Sequence, residues 1–232
     1  IAEPEIIPNK KTELEDVYAP FDNHEILPEK LQNREIRFID AISEAIEISM
    51  KNHPNLVLMG QDIAEYGGAF KITEGFVEKF GKKRVRNTPL CEAAIVGSGL
   101  GLSINGYKSM VEMQFADFVT EGFNQIINNL AKTHYRWNQN ADVVVRMPTG
   151  AGTGAGPFHS QSNEAWFAKT PGLKIAYPAF PDDAKGLLIQ SFEDPNPVLF
   201  FEHKKLYRSL KGNVPEGFYT TPFGKARQVK EG

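Results

Sequence analysis

The chain has a single cysteine, Cys91, among 232 residues. No disulfide can form within it, so stability must rest on a buried core, and the composition fits a reducing compartment. No apolar run approaches the roughly 18 residues that a membrane span needs. The N-terminal stretch, charged and interrupted by Pro4 and Pro8, is no signal peptide. A cytoplasmic protein with no membrane partner is expected. Charge of one sign is also lacking: 26 Lys and Arg against 29 Asp and Glu give a formal net charge of −3. The basic residues are scattered, so no footprint for nucleic acid exists, and Lys82-Lys83-Arg84 reads as a solvated turn before a strand.

Several chemistries fall away by motif. The Gly-rich stretch from Thr149 to Pro157 has no Lys-Ser/Thr pair for a phosphate loop, and Pro157 removes a backbone donor. It reads as a mobile loop that bends closely around a ligand or partner. Gly97, Gly99 and Gly101 begin a dinucleotide fingerprint, but Leu102 stands where its third glycine belongs. These glycines imply close approach of another helix. Ser160 is not in a nucleophile elbow, and no spacing of His, Cys, Asp or Glu suggests zinc.

What is present is a regular alternation. Residues 1–33 hold four prolines among many charged residues and read as an extended arm or linker. Within it, residues 14–21 could dock on a partner surface. From Arg34, apolar positions at Ile36, Ile39, Ile42, Ala45, Ile46 and Met50 predict a helix leading into a buried strand at 56–59. Further strands are expected at 84–87, 108–113, 143–147, 173–177 and 198–202, and helices at 91–105, 115–135 and 182–192. Asp182 and Asp183 after Pro181 have helix-start chemistry. The fold expected over 34–220 is therefore α/β, a largely parallel sheet with helices on both faces.

Two positions stand out chemically. Glu92 begins an apolar, Gly-punctuated helix. Either it is buried, where a carboxyl resists ionisation and can share a proton, or it faces water and is stabilised by the helix dipole. Cys91 beside it reads as a small buried hydrophobe. His159 closes the Gly-rich loop and is followed by Ser160, Gln161 and Ser162, all able to hold an imidazole in one tautomer. A proton-handling role and a structural one both fit. Phe115, Phe118 and Phe123 with Ile126, Ile127 and Leu130 read as a packed aromatic helix.

The words NTPLCE (87–92), EMQFADF (112–118), FHSQS (158–162) and TPGLKIAYP (170–178) occur in one order. Together they resemble the β subunit, or β half, of the thiamin-diphosphate-dependent decarboxylating component of 2-oxo acid dehydrogenase complexes. The branched-chain (2-oxoisovalerate) type is the most similar. The resemblance implies a transketolase-like pyrimidine-binding domain in which Glu92 matches the glutamate that hydrogen-bonds the pyrimidine ring nitrogen. Leu90 falls at a cofactor-side position and Gln114 at a substrate-side one. Phe118 stands where the branched-chain family usually has tyrosine beside the pyrimidine. His159 matches the histidine that handles protons during acyl transfer to lipoamide. Asp194 and Asn196 match a loop that binds a structural potassium ion through backbone oxygens, and the Gly-rich helix after Glu92 lies at a subunit contact in the family.

Gly-Asp-Gly, which carries magnesium and the diphosphate on the family's α half, does not occur here. The resemblance thus implies an α partner holding magnesium, a lipoyl-bearing acyltransferase, a homo-oligomer, and the mitochondrial matrix in a eukaryote. It also implies that residues 1–33 follow an α half and that 221–232 begin a linker to a C-terminal domain. The expected reaction is oxidative decarboxylation of branched-chain 2-oxo acids with reductive acylation of a lipoyl group, the isolated domain being inactive. Pyruvate or acetoin as substrate, a transketolase-like transfer, and a purely scaffolding module are the alternatives.

Overall fold

In a computed structural model of the protein, residues 4–5, 7–10, 12–29 and 32–230 are described. β1 (Asn33–Arg37) runs directly into α1 (Phe38–Asn52), followed by β2 (Leu56–Gly60), α2 (Phe76–Phe80), β3 (Val85–Asn87), α3 (Glu92–Ile104) and β4 (Lys108–Glu112). α4 (Val119–Asn124) and α5 (Ala131–Trp137) flank a π-helical turn, Gln125–Leu130, making one continuous rod. β5 (Val143–Thr149), β6 (Lys174–Ala176), α6 (Pro181–Glu193), β7 (Val198–His203), α7 (Leu206–Ser209) and β8 (Lys211–Pro215) complete the order.

Six strands form one sheet in the order β3-β2-β4-β5-β7-β6, and every pair in it is parallel. Period-2 alternation then sorts the strand residues between two cores. Leu56, Leu58, Met110, Val144, Val198 and Phe200 pack with α1 and α6. Val57, Met59, Val111, Val145, Leu199 and Phe201 pack beneath α3 and the α4–α5 rod. Burial on both faces explains why the strands read as short, continuous apolar runs.

The chain turns from β2 to β3 on one side and crosses back to β4 on the other. The loops leaving β2 and β4 therefore diverge at their C-terminal ends, where open α/β sheets hold ligands.

Several expectations are corrected. Residues 34–37 are a strand, not the start of a helix: β1 pairs antiparallel with β8, with Ile36 opposite Gly212. Nothing local announces a partner so distant in sequence. The helix expected at 115–135 starts as a 3-10 turn and carries the π-helical turn in its middle. Gly99 packs against the side chains of Val111, Ser109 and Val143, so its close neighbour is the sheet and not another helix. Helix contact comes through Gly97, set against the Gln125 side chain of the rod, and through Gly122, set against Val96 and the Glu92 carbonyl.

The arm docks on its own domain. Asn196 Oδ1 accepts from the Ala19 amide at 2.7 Å, and the Asn196 amide donates back to the Ala19 carbonyl at 3.0 Å. Lys174 sits over the rings of Tyr18, Phe21 and Phe223.

Candidate active site

Glu92 opens α3 just beyond Cys91. Its carboxylate is buried, at 7% exposure, and Oε1 accepts a hydrogen bond from Gln61 Nε2 at 3.1 Å. Gln61 follows β2, so a side chain from beyond one strand steadies an acid from beyond its neighbour β3. Of the two placements expected for Glu92, the structure shows the buried one. Cys91 is exposed, contrary to its reading as a small buried hydrophobe. As the residue before the helix, its side chain points off the packed face, and it lines the mouth of the cleft.

That cleft, about 440 Å³, is lined by Leu90, Cys91, Glu92, Ala93, Phe118 and Glu121. Leu90 forms its lip, 81% exposed. Phe118 links the cleft to His159: its ring meets the imidazole edge-on at 5.4 Å, and Phe115 does so at 4.7 Å. Glu92 and His159 are thus brought to one side of the molecule, with Phe118 between them. Gln114, half-buried, follows β4 on the same edge.

Ser160, Gln161 and Ser162 do not hold the imidazole. His159 Nδ1 is buried without a hydrogen-bond partner, and Ser160 Oγ donates to the Gly156 carbonyl at 2.8 Å. Aromatic edges, not hydroxyls, fix the ring.

The Gly-rich loop between β5 and His159 has positive φ at Gly150, Gly152, Gly154 and Gly156. Its neck is closed by the Gln161 carbonyl, which accepts from the Gly150 amide at 2.8 Å and from Thr149 Oγ1 at 3.1 Å.

Beneath this surface lies a buried ionic cluster that sequence reasoning missed. Arg146, on β5, is 1% exposed and forks onto Glu202 of β7, with Nε to Oε1 at 2.6 Å and the second pair at 2.5 Å. It also donates to Glu112 of β4. Tyr207 Oη donates to Glu202 at 2.6 Å. Since Arg146 is already matched two-pronged by Glu202, Glu112 is the odd acid. Burial pushes its carboxyl above the ordinary glutamate range, Arg146 opposes this, and Glu202 adds to it.

A carboxyl raised in the folded state contributes stability that is complete below its unfolded pKa and lost as pH rises through the folded one. Glu112→Gln is therefore expected to flatten the fall in stability above about pH 4.3 and to leave the urea midpoint at pH 7 unchanged or higher. A large drop at pH 7 would show that Glu112 is needed as an anion.

Asp194 and Asn196 lie far from the cleft, after α6. Lys174 Nζ sits on Asp194 Oδ2 at 2.5 Å, and the other Asp194 oxygen accepts from the Asn196 amide and side chain. Both side chains are engaged by the protein, so only backbone oxygens are left to face a cation. Among the described residues, no group of three or more His, Cys, Asp or Glu side chains is gathered for a metal, and no helix is long and apolar enough to cross a membrane.

Residues 34–209 match the family described as transketolase, pyrimidine binding domain. The chain belongs to that family. It is 48% identical over 197 residues to the 2-oxoisovalerate dehydrogenase subunit beta of Bacillus subtilis, covering 84% of this chain and 60% of that protein. Identity is 43% over 202 residues to the mitochondrial 2-oxoisovalerate dehydrogenase subunit beta 2 of Arabidopsis thaliana, with 86% and 56% covered. Against the pyruvate dehydrogenase E1 component subunit beta of Staphylococcus aureus it is 40% over 200 residues, with 85% and 62% covered. The chain therefore spans 56–62% of these relatives' lengths.

A solved structure titled split gene transketolase, inactive beta4 tetramer shares the fold at a TM-score of 0.57 and 22% identity, covering 72% of this chain and 50% of that one. The likeness to branched-chain β subunits and the α/β architecture expected from the sequence are both borne out.

Proposed function

We propose that this domain supplies the pyrimidine side of a thiamin diphosphate site in a component that decarboxylates branched-chain 2-oxo acids and reductively acylates a lipoyl group. The carrying observation is the buried Glu92 carboxylate opening on a cleft flanked by the Phe118 ring. A carboxylate at one end and an aromatic face at the side fit a flat heterocycle with a ring nitrogen. When bound, thiamin diphosphate supplies the electron sink for decarboxylation. Glu92 holds or shares a proton at the ring nitrogen, steadied by Gln61, while Leu90 and Phe118 exclude water from the ring faces. Gln114 sits on the substrate side, and His159 moves a proton during acyl transfer.

Magnesium and the diphosphate belong to an α partner, since no Gly-Asp-Gly is present. Potassium, if held at Asp194 and Asn196, is held by their backbone oxygens. The exposed positions Ala94, Ser98 and Ile104 of the apolar helix α3 suit contact with a second copy.

The branched-chain reading is favoured by the relatives of higher identity, although one methylene in a substrate pocket is worth only about 1–3 kcal/mol. The test is turnover of 3-methyl-2-oxobutanoate against pyruvate in the natural polypeptide assembled with its α partner, thiamin diphosphate and magnesium. At least roughly tenfold higher kcat/KM for the branched acid is expected. A preference for pyruvate would change the substrate and leave the site assignment standing.

A further inference from the structure

Three buried polar atoms without hydrogen-bond partners lie in one region behind the cleft: Asp117 Oδ2, Lys204 Nζ and His159 Nδ1. Asp117 is buried in the 3-10 turn before α4. Its Oδ1 accepts from two consecutive backbone amides, those of Ser160 and Gln161, each at 3.0 Å. Those amides directly follow His159, and the Gln161 carbonyl is the group that closes the neck of the Gly-rich loop. Asp117 therefore grips the loop where it returns to the body of the protein.

Lys204 follows β7 and is 5% exposed. Its Nζ lies 5.3 Å from the centre of the Phe115 ring, which carries His159 edge-on at 4.7 Å. Asp117 is the charge that acts on it. The Lys204 backbone amide donates to the Thr149 carbonyl, on the other side of the same neck. A buried ammonium with no hydrogen bond is costly. Asp117 Oδ2, buried and also unbonded, is the opposite charge that offsets part of that cost.

We infer that Asp117 and Lys204 are a positioning pair: Asp117 fixes the backbone that presents His159, and Lys204, against the Phe115 ring that carries His159, supplies the opposite charge beside it. The function of this pair rests on the reading of His159 given above; its structural half does not. In an open loop with four left-handed glycines, this backbone grip and the edges of Phe115 and Phe118 are what restrain the imidazole. An error of about 1 Å in a reacting group can cost roughly 100-fold in rate.

The test uses Asp117→Ala, Asp117→Asn and Lys204→Met in the assembled enzyme, with hydrogen exchange read over residues 157–163. Asp117→Ala should speed exchange there by about tenfold or more, whereas Asp117→Asn, which keeps an acceptor oxygen, should stay close to wild type. Acylation of a lipoyl domain should fall by roughly 100-fold in Asp117→Ala, and turnover with a dye oxidant by far less.

Burial lowers the Lys204 pKa while Asp117 opposes the shift. Such a group contributes stability only above its unfolded pKa and costs stability at neutral pH. Lys204→Met should therefore lower acylation without lowering the urea midpoint. Unchanged exchange in Asp117→Ala would overturn the pair. An equal fall of acylation and dye turnover would overturn its link to His159. Wild-type enzyme that acylates no lipoyl domain would remove the proposed function, and the exchange result would still decide the pair.

Discussion

Glu92→Gln in the assembled enzyme is expected to lower kcat by about 10²–10⁴-fold, the usual worth of a positioned proton-transfer group. The substitution is nearly isosteric. The Gln61 Nε2 donor would find the amide oxygen of the new side chain in place of Oε1, so the local packing and the start of α3 should survive. What is lost is a group that can both take and give a proton at the cleft. An amide in that position could still donate to the unprotonated ring nitrogen of the proposed cofactor but could not transfer a proton to it, so the loss should fall on kcat more than on cofactor binding.

Thermal unfolding and hydrogen exchange should match wild type, which separates loss of chemistry from loss of fold. Turnover within about threefold of wild type would remove Glu92 from the mechanism and favour a scaffolding role.

Arg146→Met should be the most damaging substitution in the core, with a loss of about 3–5 kcal/mol in urea unfolding. Methionine fills most of the volume, so the effect is electrostatic. Two carboxylates, Glu112 and Glu202, would lose the cation that holds both in a site closed to water. Tyr207 would remain as the one hydroxyl on Glu202.

The loss should be much smaller in Arg146→Met combined with Glu202→Gln and Glu112→Leu, because removing a buried ion cluster whole avoids the uncompensated charge. A single Arg146→Met variant that loses less than about 1 kcal/mol would mean that the acids take up protons at little cost. The cluster is also connected to the candidate site. Phe70 meets both Tyr207, at 5.1 Å, and Phe115, at 5.6 Å, so a collapse around Arg146 should disturb the ring that supports His159.

Much of this molecule was legible in the order of its residues. The apolar runs at 56–59, 143–147 and 198–202 are strands because both faces of a parallel sheet are buried, and the intervening 3.6-residue periods are helices. Local backbone preference and side-chain period carry that information, and both can be read from neighbours. Glu92 at the head of an apolar helix, and His159 behind a glycine loop, were legible for the same reason: each is a local anomaly. The words around them carried the family resemblance.

Other features depend on contacts between residues far apart, and a period has no means of naming a partner. β1 is a strand because β8 lies beside it, although its own residues continue a helical pattern. Cys91 is exposed because the chain turns at the head of α3, a matter of direction that composition does not encode. Arg146, Glu112 and Glu202 read separately as charges on three strands; only the register of β4, β5 and β7 puts them in one buried cluster. Asp117 and Lys204 have no motif of their own, and their meaning comes from where the ends of β4, β5 and β7 converge. The sequence by itself determined the alternation of elements and the identity of the reactive side chains. Tertiary structure decided which charges face each other out of water, because that depends on the spatial neighbours and the dielectric that folding creates.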